Sequence, residues 1–270
     1  MRQWRLICDS PAPGAWNMAV DDAVLHAVGA GESLPTLRFY AWSVPCLSLG
    51  YGQRVRDVDF DRLQSRGWDI VRRPTGGRAI LHTDELTYSL ALPNTDAIVA
   101  DDVVTSYRRI SAALIRGLES FGFKLQADQR EQQDHLILPI CFEVPSHYEI
   151  TVNGRKLVGS AQVRRHGAVL QHGTIPLTGD ITRICDVVTV DDETERQQKK
   201  AQIAAVATTL QNALGQSISW HDVAEALVVG FADTFGVQFD KNDSLTTSEY
   251  VHAKQLMHDV YGADTWTRRR

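Results

Sequence analysis

An α/β fold, with a mixed β-sheet flanked by helices and a helical C-terminal third, is what the sequence predicts, and three observations predict it. Segments of helical period are interspersed with short β-branched or aromatic runs up to residue 122, residues 148 to 178 read as successive strands, and from about residue 192 the pattern is helical. With 270 residues, 43% of them hydrophobic and 23% charged, the chain can bury a sizeable core. It shows no internal repeat, low-complexity tract or obvious linker, so one domain over residues 1–270 is expected.

Pro13-Gly14 precedes "AWNMAVDDAVLHAV", where Trp16, Ala19, Val20, Ala23, Val24 and Ala27 recur at helical spacing and Gly29 ends the run. The runs "TLRFYAW", "CLSLGYG", "WDIVRR", "RAILH" and "LTYSLAL" follow, parted by Pro, Gly and Asp, and predict a sheet. Asp101 or Asp102 caps a second helix through Val104, Tyr107, Ile110, Leu114 and Leu118 to Gly122. "YEITV", the pair Asn153-Gly154, "RKLVGSAQVRR", a break at His166-Gly167 and "AVLQHGTIPL" predict consecutive hairpins, because Asn-Gly between apolar runs is a strong turn signal. In the last third, "DDETERQQKKAQIAAVATTLQNALG" sets Ile203, Val206, Leu210 and Leu214 on one helical stripe. Two further helices open on capping boxes, Ser219 with Asp222 and Thr246 with Glu249.

Composition narrows the function. The formal charge of -5 argues against a general nucleic-acid binder, and the terminal "TRRR" reads as a solvated tail. No apolar run approaches the roughly 20 residues of a membrane span, and the apolar stretch near the N-terminus is too short for a signal peptide, so a cytoplasmic location is expected. Cys8, Cys46, Cys141 and Cys185 form no C-x-x-C pair, which indicates neither a zinc site nor a disulfide framework.

Three stretches could carry chemistry. In "RRPTGGRAILH", Arg72 and Arg73 can stabilise an anionic group, Gly76 and Gly77 allow close backbone approach to a ligand, and His82 ends the following run; an ordinary hairpin accounts for them equally. Cys141 sits between Pro139 and Pro145 in a stretch that is neither clear strand nor clear helix, where a loop nucleophile or a core thiol would fit, whereas Cys8, Cys46 and Cys185 sit in contexts suited to a small buried hydrophobe. Lys156 places an ammonium in a run otherwise apolar or small: it either faces solvent or serves a nearby thiol, whose thiolate form it would favour. In "LQHGTIPL", His172 and Gly173 interrupt an apolar strand, as a kink or as a close approach to a ligand.

In series, "RRPTGGRAILHTDELTYS", "CFEVPSHYEI", "GRKLVGSAQ" and "LQHGTIPL" resemble the lipoyl and biotinyl protein ligase superfamily, and within it the octanoyltransferases of lipoate assembly in the Bacillus-type branch, over roughly residues 1 to 260. The resemblance implies ping-pong acyl transfer. Cys141 matches the nucleophile that accepts octanoyl from acyl carrier protein as a thioester, and Lys156 matches the lysine that lowers the pKa of that thiol. Arg72, Arg73, Gly76, Gly77, His82, Gly159, His172 and Gly173 match positions lining the acyl tunnel and its mouth. The acceptor would be a lysine of an apo lipoyl domain, such as the glycine-cleavage H protein or an E2 subunit, and no ATP, metal or other cofactor would be required. Both partner proteins are acidic in general, so a basic patch is expected near Arg54, Arg56, Arg72, Arg73, Arg78, Arg164 and Arg165.

Other activities share much of this pattern. An ATP-dependent lipoate-protein ligase would have the same turn and lysine, but usually reads His-Asp-x-Gly-Asn where this chain has "HTDELTYS", and does not need Cys141. An amidotransferase between lipoyl domains would differ only in its donor. A catalytically silent binding protein would have no use for a matched Cys141 and Lys156.

Overall fold

The computed structural model describes residues 2–128, 149–240 and 244–270. In chain order the strands are β1 (Arg2–Cys8), β2 (Thr36–Tyr40), β3 (Cys46–Leu49), β4 (Asp69–Arg72), β5 (Ile80–His82), β6 (Glu85–Pro93), β7 (Gln126–Asp128), β8 (Glu149–Val152), β9 (Arg155–Arg165), β10 (Ala168–Pro176) and β11 (Val237–Asp240). The helices are α1 (Gly14–Gly29), α2 (Phe60–Ser65), α3 (Val103–Leu118), α4 (Glu193–Val206), α5 (Leu210–Leu214), α6 (Trp220–Phe235), α7 (Thr247–Leu256) and α8 (Asp264–Thr267). Eight strands make one mixed sheet in the order β11-β1-β2-β6-β10-β9-β8-β7, and three make a smaller one in the order β4-β3-β5.

Period-two patterning decides what covers each face of the large sheet. Leu37, Phe39, Tyr88, Leu90 and Val169 point to one face, where they pack against Leu114 of α3 and Leu227 and Phe231 of α6. Tyr40, Ala91, Ala168 and Leu170 point to the other, against Val20, Val24 and Leu25 of α1. A third core joins the small sheet, through Leu47 and Leu49, to Leu63 of α2 and Ile203 of α4. Both long hairpins follow from turn chemistry: Asn153 and Gly154 have φ of 51° and 73°, and His166 and Gly167 have 53° and 75°, the left-handed pairs that match the twist of their strands.

The structure departs from the sequence reading at several points. β1 and β11 were not expected as strands; they pair in parallel, Arg2 opposite Val237 through Arg5 opposite Asp240, a match no local pattern announces. The single helix expected over 191–215 breaks at residues 207–209, because Ala207 forms a parallel bridge with Lys156 and the Thr208 amide donates to the Lys156 carbonyl at 2.9 Å. Ser219 caps α6, accepting from the Asp222 amide at 3.1 Å, but its hydroxyl donates to the Asp222 carboxylate, so the reciprocal bond of a capping box forms only at Thr246 and Glu249. Cys8 is exposed, whereas Cys46 and Cys185 are buried as expected. The terminal arginines are docked: Arg269 lies over the rings of Tyr51 and Trp266, and the Arg270 carbonyl accepts from the Val55 amide at 2.8 Å.

Candidate active site

Several of the residues singled out in the sequence gather around β9 and β10. On β9 a bulge shifts the register, Lys156 opposing Thr151 and Val158 opposing Ile150, which leaves Leu157 without a counterpart on β8. Lys156 is 3% exposed. Its Nζ lies 2.5 Å from Oε1 of buried Glu149 on β8, so the ammonium enters the interior with a carboxylate beside it. A Cβ built on Gly159 would lie 3.4 Å from Lys156 Cε and 3.8 Å from Nζ, which places the lysine tip over Gly159.

Gly159 pairs with Thr174, and Gly173 with Ser160 on one side and Tyr88 on the other. A methyl on Gly173 would come within 2.6 Å of the Gly159 carbonyl and 2.7 Å of both Ser160 Oγ and Tyr88 Cε1, so only glycine lets these three strands close up here. Beneath it, the Tyr88 hydroxyl meets Ser160 Oγ at 2.7 Å and accepts from Gln171 at 2.9 Å. Burial comes first among the influences on the Tyr88 phenol and pushes it up to about 12.

His172 faces the α1 side. Its Nδ1 is 2.9 Å from Asp21 Oδ2 and its Nε2 is 2.7 Å from Thr75 Oγ1. Asp21 also accepts from Arg38 at 2.7 Å and from the Tyr40 hydroxyl at 3.0 Å. Burial pushes the Asp21 carboxyl up, but the His172 hydrogen bond and the Arg38 charge outweigh it and hold the group below the usual carboxylate value. For His172 burial wins over Asp21, so the imidazole stays neutral below its ordinary titration range.

The second histidine, His82, is stacked on Trp42 with ring centres 3.9 Å apart. Its Nδ1 is 2.6 Å from Glu85 Oε1 and its Nε2 2.7 Å from Ser48 Oγ. The Ser48–His82–Glu85 row has the distances of an acyl-transfer triad, yet Ser48 is fully buried and its oxygen accepts from Arg73 at 3.1 Å, so it is no nucleophile.

The two arginines part company. Arg73 turns toward the glycines and donates to the carbonyls of Gly76 and Arg78, both at 2.8 Å. Arg72 turns away, donating to the carbonyls of Gly50 and Gln53 at 2.7 Å and Thr267 at 2.8 Å, which straps the C-terminal segment to the small sheet. Burial, and then repulsion from Arg269, Arg270 and Arg73, lower its pKa. Of the expected basic patch, Arg54 and Arg56 line an open cleft of about 440 Å³ with Arg270, while Arg164 is bonded to Ser106 and the Val99 carbonyl and Arg165 is paired with Asp22.

The structure therefore brings Lys156, Gly159, His172, Gly173, Gly76, Gly77, His82 and Arg73 into one continuous network and leaves Arg72 on its outer side. Cys141 lies outside the described residues. Sequence reading missed Glu149, Asp21, Glu85, Ser48 and Thr75; of these Asp21 had a signal, in that Asp21 and Asp22 both fall inside an otherwise apolar helix.

Comparison with known proteins shows the family and the fold. Residues 13–232 match the family model described as the lipoyl protein ligase A/B catalytic domain. Octanoyltransferase LipM of Kyrpidia tusciae is 41% identical, and that of Exiguobacterium sibiricum 38%, each covering 100% of both chains. Among solved structures, the bipartite lipoate protein ligase of Thermoplasma acidophilum superimposes with a TM-score of 0.84 at 23% identity, covering 99% of this chain and 97% of its own, which speaks to the fold. A family model matching residues 13–232 and full-length likeness to two such relatives lead to one assignment: the chain belongs to the lipoyl protein ligase A/B catalytic domain family.

Proposed function

We propose that the protein is an octanoyltransferase of protein lipoylation, moving an octanoyl group from octanoyl-acyl carrier protein through a thioester on Cys141 to the ε-amine of a lysine on an apo lipoyl domain. Full-length likeness to octanoyltransferases at 41% and 38% identity is the observation that carries the reaction class. No helix among the described residues is long and apolar enough to cross a membrane. We further propose that the reaction runs in the cytoplasm, because its carrier and acceptor proteins would be there.

In the first half-reaction the Cys141 thiolate attacks the donor thioester carbonyl and expels the carrier thiolate, which takes up a proton. In the second, the neutral acceptor amine attacks the new thioester, loses a proton, and leaves an amide and the free thiol. Exchange between thioesters is near balanced and thioester to amide is downhill, so covalent catalysis divides the transfer without ATP. Lys156 supplies the positive charge that favours the thiolate, and Glu149 keeps that charge compensated in a buried site. Gly159, Gly173, His172 and the turn with Gly76 and Gly77 form the wall along which the acyl chain lies, with burial contributing about 0.8 kcal/mol per CH₂. Arg73 and His82 shape that wall, and Arg72 holds the frame behind it.

Incubation with octanoyl-carrier protein should add one octanoyl mass, mapped to Cys141, and Cys141→Ser should abolish both the adduct and transfer. An acceptor fully modified while Cys141 stays free would overturn the covalent route. Offering octanoyl-carrier protein, octanoate with ATP, or an octanoylated lipoyl domain, each with one apo acceptor, separates the transferase from a ligase and from an amidotransferase.

A further inference from the structure

Two buried carboxylates in the body of the fold each reach the 75–78 turn through one histidine. Asp21 on α1 holds His172 at 2.9 Å, and His172 holds the Thr75 hydroxyl at 2.7 Å. Glu85 on β6 holds His82 at 2.6 Å, His82 holds Ser48 at 2.7 Å, and Arg73 bonds both Ser48 and the carbonyls of Gly76 and Arg78. A carboxylate can only accept, so each histidine donates from Nδ1; a neutral ring, the form that burial favours for His172, then accepts at Nε2, which makes the Thr75 hydroxyl a donor. Asp21, Ser48 and Thr75 are 0% exposed, His172 and His82 5%, and Glu85 6%, so water does not substitute for these partners. The Tyr51 amide also donates to the Thr75 carbonyl at 2.8 Å; among the described residues a Cβ on Gly76 would meet nothing within 4 Å, while one on Gly77 would sit 2.9 Å from Arg73 Nη2.

We infer that Asp21 and Glu85 are positioning residues for acyl transfer, fixing the tautomers of His172 and His82 so that the 75–78 turn stands in one shape beside Gly173. The inference rests on the acyl-site reading proposed above. It assigns a task to two carboxylates that touch no reacting atom, and it makes the Thr75 hydroxyl the point where α1 acts on the turn. In Asp21→Asn, Oδ1 would remain with Arg38 and the amide nitrogen would donate to His172 Nδ1, driving the ring to its Nε2–H form and reversing the bond to Thr75.

The test combines kinetics with ¹⁵N-histidine NMR on the full chain. Native protein should show His172 protonated on Nδ1, and Asp21→Asn should show it protonated on Nε2. Asp21→Asn and Thr75→Val should each lower kcat/KM for octanoyl-carrier protein by about ten- to a hundredfold, mainly through KM, and Thr75→Ser should restore it. Thr75→Val with native KM, or a native His172 protonated on Nε2, would overturn the inference. If Asp21→Asn does not fold, the Thr75 pair carries the kinetic arm. A native protein that transfers no octanoyl at all would reject the function proposed above, whereas the NMR arm would still decide on the relay.

Discussion

Lys156 and Glu149 invite a double-variant experiment: Lys156→Met, Glu149→Gln and the combination. At 2.5 Å and an effective dielectric constant of about 20, the gross attraction is about 6 to 7 kcal/mol. Removing two ions from water costs several kcal/mol each, so the net worth of the intact pair is near zero, while leaving one partner behind costs about 3–5 kcal/mol. For Glu149→Gln the loss has a ceiling, because a buried lysine that has lost this carboxylate can shed its proton: from a reference pKa of about 10.4 to pH 7 this costs about 4.6 kcal/mol. The sign follows. The unfolded chain would hold that proton and the folded variant would not, so the variant's stability rises with pH toward the reference value. Urea unfolding of all four proteins at matched slopes should therefore show two strongly destabilised single variants and a double variant close to native. Single losses under about 1 kcal/mol that simply add would refute the buried-pair reasoning.

Three further outcomes are expected. Gly173→Ala must force apart the Gly159 carbonyl, Ser160 and Tyr88 and should cost about 1–3 kcal/mol, whereas Gly76→Ala meets none of the described residues within 4 Å and should change stability by less than about 0.5 kcal/mol while raising the donor KM; urea midpoints and initial rates read both. Arg72→Met orphans the carbonyls of Gly50, Gln53 and Thr267, so hydrogen exchange at the Trp266 indole, which donates to the Arg72 carbonyl, should rise sharply; unchanged exchange would deny the strap. Stability should fall as pH drops, first below about 6.5, where the unfolded chain protonates its histidines before His172 can. It should fall further below about 4, where unfolded carboxyls protonate before Asp21, Glu85 and Glu249; a flat urea midpoint from pH 7 to 4 would contradict this.

What the sequence disclosed was what local chemistry decides. Asn153-Gly154 and His166-Gly167 announce their hairpins because a left-handed pair is needed within two residues. Lys156 stood out because a charge in an apolar strand needs a reason. Its partner did not, because a bulge between β8 and β9 sets which side chains meet. Arg72 and Arg73 are adjacent letters with opposite duties, since Arg72 ends β4 and Arg73 opens the turn that follows, its side chain directed to the other side. The break at Ala207 follows from a bridge to Lys156, some fifty residues upstream, and helical periodicity continues straight through it.

The parallel pairing of β1 with β11 has a consequence for how the protein is made. Arg2 through Arg5 leave the ribosome long before their partners Val237 through Asp240, and Arg5 then closes on Glu249. At roughly 5–20 residues per second, that gap is on the order of ten to fifty seconds of synthesis during which β1 has one bare edge. Such an edge is an aggregation hazard, and Arg2 and Arg5 supply charge along it while it waits.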